Sequence, residues 1–462
     1  MNTKTKTPLD LSNSMNVSSS TKFLALSTLS VWKARDLTFR ILRPAVANVL
    51  GAANRIADRC GYPLCGVLLR AHRHGAARFV EDDLIRSIPT VRQRIDRLLA
   101  AGDGFDMVCR RSIVLKSPRL HGRMIEKGVL LVTFSTSFPL FRRELDLPLL
   151  LKYFSLVLEP SSAGYGAPEI LFWLDYPEHP IVVQATDATD HRFLTRLKAN
   201  LVPVSFGASD WVDHRRFTEL PEVEKIYDSV YVANYMRVKR CHSYFRALAR
   251  IRDTGFRAAL VCSSWGGSRD EVLALVGHYE LGQMLDLYED LKQDELNVVL
   301  NQSKVNLLLS LKEGSNRSVF EGFAAGVPAI VLSENIGMNK SYVNSQTGRL
   351  VDEADLSEVL LHFKSHWRSY NARAWMLENI SPEKTTAKLA DCLESLARGR
   401  GEPWTVDPVP KINAPEVSYF NEADRQRFPA AAEVLTAISK SRTPLAMRET
   451  AICKFLRSEG HP

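Results

Sequence analysis

Short, nearly unbroken apolar runs recur along the middle of the chain. They are residues 128–134 (GVLLVTF), 155–159 (SLVLE), 181–184, 201–206, 229–234 (SVYVAN), 258–262, 305–309 and 329–332. Runs of this kind predict strands buried on both faces, as in parallel sheets. Residues 145–154, 243–251, 356–377 and 381–397 carry helical spacing. Strands alternating with helices argue for an α/β fold with parallel sheets and flanking helices. Ligands of such sheets sit beyond the carboxyl ends of the strands.

The most informative stretch is 303–332, SKVNLLLSLKEGSNRSVFEGFAAGVPAIVL. Its pattern predicts strand, loop, short helix, turn and strand. Residues 313–315 break the apolar run, Asn316 is placed to cap a helix over 318–325, and Val319, Phe320, Phe323 and Ala324 form one stripe. Gly326 stops that helix and Pro328 follows. The free N–H groups of a helix start attract an anion, typically a phosphate. Gly314 and Ser315 leave the approach open. Glu313 and Glu321, with seven residues between them, would repel a phosphate and suit the hydroxyls of a sugar or ribose. A diphosphate with a polyol on either side describes a nucleotide-sugar. The plain alternative is a strand–helix unit with two surface glutamates.

EGSNRSVFEGFAAGVP resembles the donor-site signature of retaining glycosyltransferases of the GT-B fold, family-4 type. The resemblance spans about 129–396, tighter in the second half. It implies two Rossmann-like, doubly wound domains with a cleft between them, here preceded by an N-terminal helical extension. It also implies that Glu313 contacts the donor sugar, that Glu321 contacts the ribose, and that Gly314, Ser315, Asn316 and Arg317 cradle the diphosphate. The family places an Arg and a Lys after the strand at 229–234. Lys239 matches the Lys, while Tyr235 stands where the Arg belongs, so Arg237 or Arg240 is the substitute. Glu313, Lys239 and Arg237 are thus the expected catalytic residues, with no metal, no cofactor beyond the donor and no protein nucleophile. The turn Gln346-Thr347-Gly348 resembles the family's closing turn. Similar loops in bacterial surface-polysaccharide enzymes imply a glycan or lipid-linked glycan acceptor. A nucleotide-sugar epimerase of the same architecture and a non-catalytic nucleotide-sugar-binding protein are the alternatives.

Three loops qualify for the acceptor: 135–137, 161–165 and 185–191. Ser161, Ser162, Gly164, Tyr165 and Gly166 suit a polar acceptor, with Tyr165 against a sugar face, or simply form a glycine turn. Asp187, Asp190 and His191 are acceptor-side candidates, with helix capping by Asp190 as the alternative.

Composition narrows the partners. Of 462 residues, 45% are hydrophobic and 24% charged, ordinary for a globular protein of two or three domains. The formal charge of +8 allows nucleic acid, an anionic membrane or phosphorylated ligands. No nucleic-acid motif accompanies it. Residues 1–30 are Ser-, Thr- and Lys-rich and are expected to be a disordered leader. FLALSTLSVW (23–32) is too interrupted for a signal peptide. Residues 31–122 read as a basic helical extension, with 27–60 suited either to peripheral contact with the inner membrane surface or to ordinary packing. Domains follow at 123–224 (acceptor side) and 225–397 (nucleotide-sugar side), then a linker and helical tail at 398–462. Seven scattered cysteines fit a reducing cytoplasm.

Overall fold

The computed structural model describes residues 7–9, 11, 19–37, 40, 104–161, 168–413 and 416–458. The chain forms two compact units, Arg43–Trp211 with Pro382–Pro462, and Val212–Ser381 with Met1–Leu42. Both are Rossmann-like in the sense expected, a mainly parallel sheet with helices.

The unit built on Arg43–Trp211 contains β1 (Ser112–Lys116), β2 (Arg119–His121), β3 (Met124–Glu126), β4 (Gly128–Thr133), β5 (Phe154–Glu159), β6 (Ile181–Gln184) and β7 (Leu201–Val204). Its main sheet runs β1-β4-β5-β6-β7. β4 to β7 are parallel, and β1 lies antiparallel on β4. Leu130, Val132, Leu156, Leu158, Ile181 and Val183 pack on one face. Val129, Leu131, Val157 and Val182 pack on the other. The unbroken apolar runs arise because both faces are covered.

Two expectations are corrected here. Residues 104–122, assigned to a helical extension, hold one short helix (Phe105–Arg110), β1 and β2. Flanking arginines and lysine hid the run Ile113 to Leu115, which is buried throughout. The described residues of 398–462, assigned to a linker and tail, contribute to the core of this unit. Val434, Leu435, Ile438 and Ile452 are buried in the cluster on one face of the first sheet, and the antiparallel pair Lys411–Asn413 and Val417–Tyr419 packs Val417 and Tyr419 against the cluster on the other. The helix Pro382–Arg398 also belongs to this unit, so the division falls after Ser381. The rest of the expected extension, 41–103, lies outside the described residues.

The second unit contains β8 (Ser229–Tyr235), β9 (Ala258–Gly267), β10 (Leu285–Glu289), β11 (Asn306–Leu308), β12 (Ala329–Leu332) and β13 (Gly348–Val351). The sheet is parallel throughout, in the order β10-β9-β8-β11-β12-β13. Counted from β8, this is 3-2-1-4-5-6, the doubly wound order whose direction reverses between the first and fourth strands. That reversal lies between β8 and β11. β9 runs on past the apolar run at 258–262 through SSWGG to Gly267.

The N-terminal segment docks on this second unit. Leu9 N–H donates to the Leu287 carbonyl at 2.8 Å, against the edge strand β10. The helix Ser19–Leu37 buries Ala25, Leu29 and Trp32. Part of the expected disordered leader is therefore ordered. Apolar residues on one helical stripe outweighed the polar composition around them. No helix among the described residues is long and apolar enough to cross a membrane.

Candidate active site

The loop after β11 and the helix Arg317–Ala324 lie where the sequence predicts them. Asn316 caps the helix, its side-chain oxygen accepting from the Val319 N–H at 3.2 Å. The Ser318 hydroxyl donates to the same oxygen at 2.9 Å. Beneath the helix, buried Asn306 of β11 donates to the Ser318 carbonyl at 2.8 Å. Gly322 permits that approach, since a Cβ there would lie 3.0 Å from the Asn306 amide. Val319, Phe320, Phe323 and Ala324 are buried in one cluster, as the stripe predicts.

Three expected site residues converge at the switch point. The Lys239 ammonium, in the loop after β8, pairs with the Glu313 carboxylate. Glu313 also accepts from the Asn316 side-chain amide. Both members of the ion pair are largely buried, at 18% and 10% side-chain exposure. Lys239 is anchored through its backbone, whose carbonyl accepts from the buried Tyr231 hydroxyl. Gly314 and Ser315 complete the loop, both partly exposed.

Glu321 lies one turn into the helix and is buried. Burial pushes its carboxyl above the usual range, and the Arg317 guanidinium, 2.9 Å away, offsets this only in part. Arg317 contributes this ion pair as well as the first turn of the helix.

The two candidates for the missing arginine are placed elsewhere. Arg237 is exposed and directs its guanidinium to Glu271 at 2.7 Å. Arg240 is buried, bonded to Asp36 of the N-terminal helix, to the Leu309 carbonyl at 3.0 Å and to Glu353 at 2.8 Å. Arg237 is therefore not brought to Lys239 and Glu313. A three-residue turn separates the directions of residues 237 and 239, which sequence proximity alone does not reveal.

Sequence reasoning missed Gly337. Its φ is +122°, and a Cβ there would fall 1.9 Å from the Glu313 carbonyl oxygen. The Glu313 N–H donates to the Ile336 carbonyl at 2.9 Å. A loop following β12 thus fixes the backbone that carries Glu313. Thr347-Gly348 forms the expected turn, with Gly348 at φ +153° against the Ala329 carbonyl.

In the first unit, Asp187 rather than Asp190 caps the helix Ala188–Arg196, accepting from Thr189 N–H at 2.8 Å. Asp190 is buried in its first turn. Burial holds the half-buried His191 below the usual imidazole range. Ser161 is described, with φ +55°; Ser162, Gly164, Tyr165 and Gly166 lie outside the described residues. Among the described residues no cluster of His, Cys, Asp and Glu is placed to hold a metal ion. A cavity of about 730 Å³ in the second unit, lined by Lys225, Gly326 and Trp367 among others, lies at the amino ends of the strands, opposite Glu313.

A lysine and a capped helix start at the switch point of a doubly wound parallel sheet are features that suit a phosphate-bearing ligand. Residues 213–376 match the family described as glycosyl transferases group 1. No curated protein sequence matches the chain. Among solved structures it is similar to the sucrose-phosphate synthase of Thermosynechococcus elongatus, at 16% identity and TM-score 0.48, over 59% of this chain and 74% of that one. It is similar to TarM, at 15% identity and TM-score 0.44, over 57% of this chain and 54% of TarM. It is also similar to Anabaena HepE in complex with UDP-glucose, at 14% identity and TM-score 0.45, over 57% of this chain and 78% of that one.

Proposed function

We propose that the protein moves a sugar from a nucleotide-diphosphate sugar to a hydroxyl acceptor with retention of configuration. The observation that supports this best is the meeting of Lys239, Glu313 and the Asn316-capped helix start at the β8–β11 switch point. An arriving diphosphate would compete with Glu313 for the Lys239 ammonium. Glu313, released, would then accept hydroxyl protons of the donor sugar, and Glu321 would accept from the ribose.

In the proposed step the bond from the sugar's anomeric carbon to phosphate oxygen breaks, and its electron pair stays on the diphosphate. The acceptor oxygen bonds the same carbon on the same face. The acceptor proton passes to a leaving phosphate oxygen, so no protein nucleophile is needed. Lys239 and the amides of the Gly314-to-Arg317 loop would stabilise the developing charge. That charge stabilisation would let transfer proceed without a metal, so activity should survive a chelator. The acceptor we propose is a glycan or lipid-linked glycan of cell-envelope or exopolysaccharide synthesis, met on the cytoplasmic side of the membrane.

The test is donor hydrolysis and transfer by Glu313→Ala and Lys239→Ala. Each should lose at least about a hundredfold, the size of one removed charge-stabilising group. Near-wild-type rates in both would overturn the mechanism. Release of an isomerised sugar without acceptor would favour an epimerase instead.

A further inference from the structure

The carboxyl edge of the first sheet carries backbone strain at two positions. Phe134, immediately after β4, has φ +63° and ψ +120°. Ser161, just past the neighbouring β5, has φ +55°. An L residue bearing a side chain rarely adopts a positive φ, because its Cβ crowds the backbone. The two strained segments are tied together: Phe134 N–H donates to the Glu159 carbonyl at 2.8 Å and Ser135 N–H to the Pro160 carbonyl at 3.1 Å.

The strain presents an aromatic ring. Phe134 is 46% exposed, at the edge where ligands of parallel sheets bind. The antiparallel strand β1 begins at the same edge, because Ser112 pairs with Val132. It brings Arg111, whose carbonyl accepts from the Thr133 N–H at 2.8 Å. The Arg111 guanidinium lies 3.8 Å over the Phe134 ring. No carboxylate among the described residues lies within ion-pair distance of it. Burial and the neighbouring Arg110 both disfavour its charge, and Glu416 acts on it only from beyond contact. A half-buried cation that no described carboxylate contacts, laid on an exposed ring, suits a ligand that brings the negative charge.

We infer that Arg111 and Phe134 form an acceptor subsite that takes a sugar ring bearing a negative charge, either a uronate carboxylate or a phosphate. The ring would pack on Phe134, and the anion would pair with Arg111. This rests on the reading of the first unit as the acceptor side, but the binding itself does not depend on transfer.

The experiment titrates glucuronic acid, glucose 1-phosphate and glucose into the full chain, followed by ligand-observed NMR. At least one charged sugar should bind, and glucose should bind at least about tenfold more weakly, the worth of one charge-assisted contact. Which charged sugar binds better tells carboxylate from phosphate. Arg111→Gln should abolish the preference for charge. Phe134→Gly should weaken binding of the charged sugar while leaving the melting temperature equal or higher, because glycine relieves the positive φ. Equal binding of all three sugars, or an unchanged charge preference in Arg111→Gln, would overturn the inference. So would a Phe134→Gly variant that melts lower and binds normally. If nucleotide-diphosphate sugars fail to bind while this charge preference persists, the donor reading falls and the subsite stands.

Discussion

Single residues decide how tightly the loop that carries Glu313 is held. Gly337 has no room for a Cβ, which would meet the Glu313 carbonyl at 1.9 Å. Gly337→Ala should therefore displace the Glu313 backbone, lowering stability by about 1–3 kcal/mol and weakening donor binding. Denaturant titration and calorimetry read the two effects separately. Arg237 gives a contrast with Lys239: its bond to Glu271 is at the surface, so Arg237→Ala should change donor affinity by less than about fivefold. A further residue-scale outcome concerns acid. Burial alone would raise the Glu126 carboxyl, but the Lys116 ammonium at 2.6 Å and the Thr405 donors outweigh it and hold it down to about 2 from an ordinary 4.5. A carboxyl depressed in the folded state stabilises above its unfolded pKa, and that contribution fades as pH falls through the folded one. The stability gap between wild type and Glu126→Gln should thus be widest near neutral pH and shrink from about pH 4.5 toward pH 2, by chemical denaturation at each pH.

At the scale of elements, the strands and the helix start were legible because their signals are local. The run before Glu313, the Asn316 cap and the Gly326 stop each act within a few residues, and β11, Arg317–Ala324 and β12 fall where they predict. What escaped was set by partners distant in sequence. Gly337 matters only because the loop after β12 crosses Glu313. Arg237 and Lys239 sit two residues apart yet serve different carboxylates, Glu271 and Glu313. Lys411, in a stretch that read as linker, is fully buried against Glu159 at 2.8 Å. The N-terminal helix is a similar case. Its first part, up to residue 30, read as a disordered leader, but the helix is anchored by Trp32, which is 1% exposed in the core of the second unit and whose indole N–H reaches Glu271 at 3.3 Å. Trp32→Ala should cost about 3–5 kcal/mol of that unit's stability. A loss below 1 kcal/mol on denaturant titration would show that the helix is not part of the core.

On the scale of the whole molecule, each unit is assembled from segments far apart in the chain. The second unit joins the N-terminal segment to Val212–Ser381, and the first joins Arg43–Trp211 to Pro382–Pro462. The donor chemistry proposed for the second unit is nevertheless concentrated at one reversal of strand order, where Lys239 and Glu313 meet. The most direct measurement is calorimetric titration of uridine, guanosine and adenosine diphosphates into the wild-type chain and into Lys239→Ala. The account predicts saturable binding of at least one of them, weakened at least about tenfold by Lys239→Ala through loss of a charge-assisted contact. Binding of none, or equal affinity for both proteins, would contradict it.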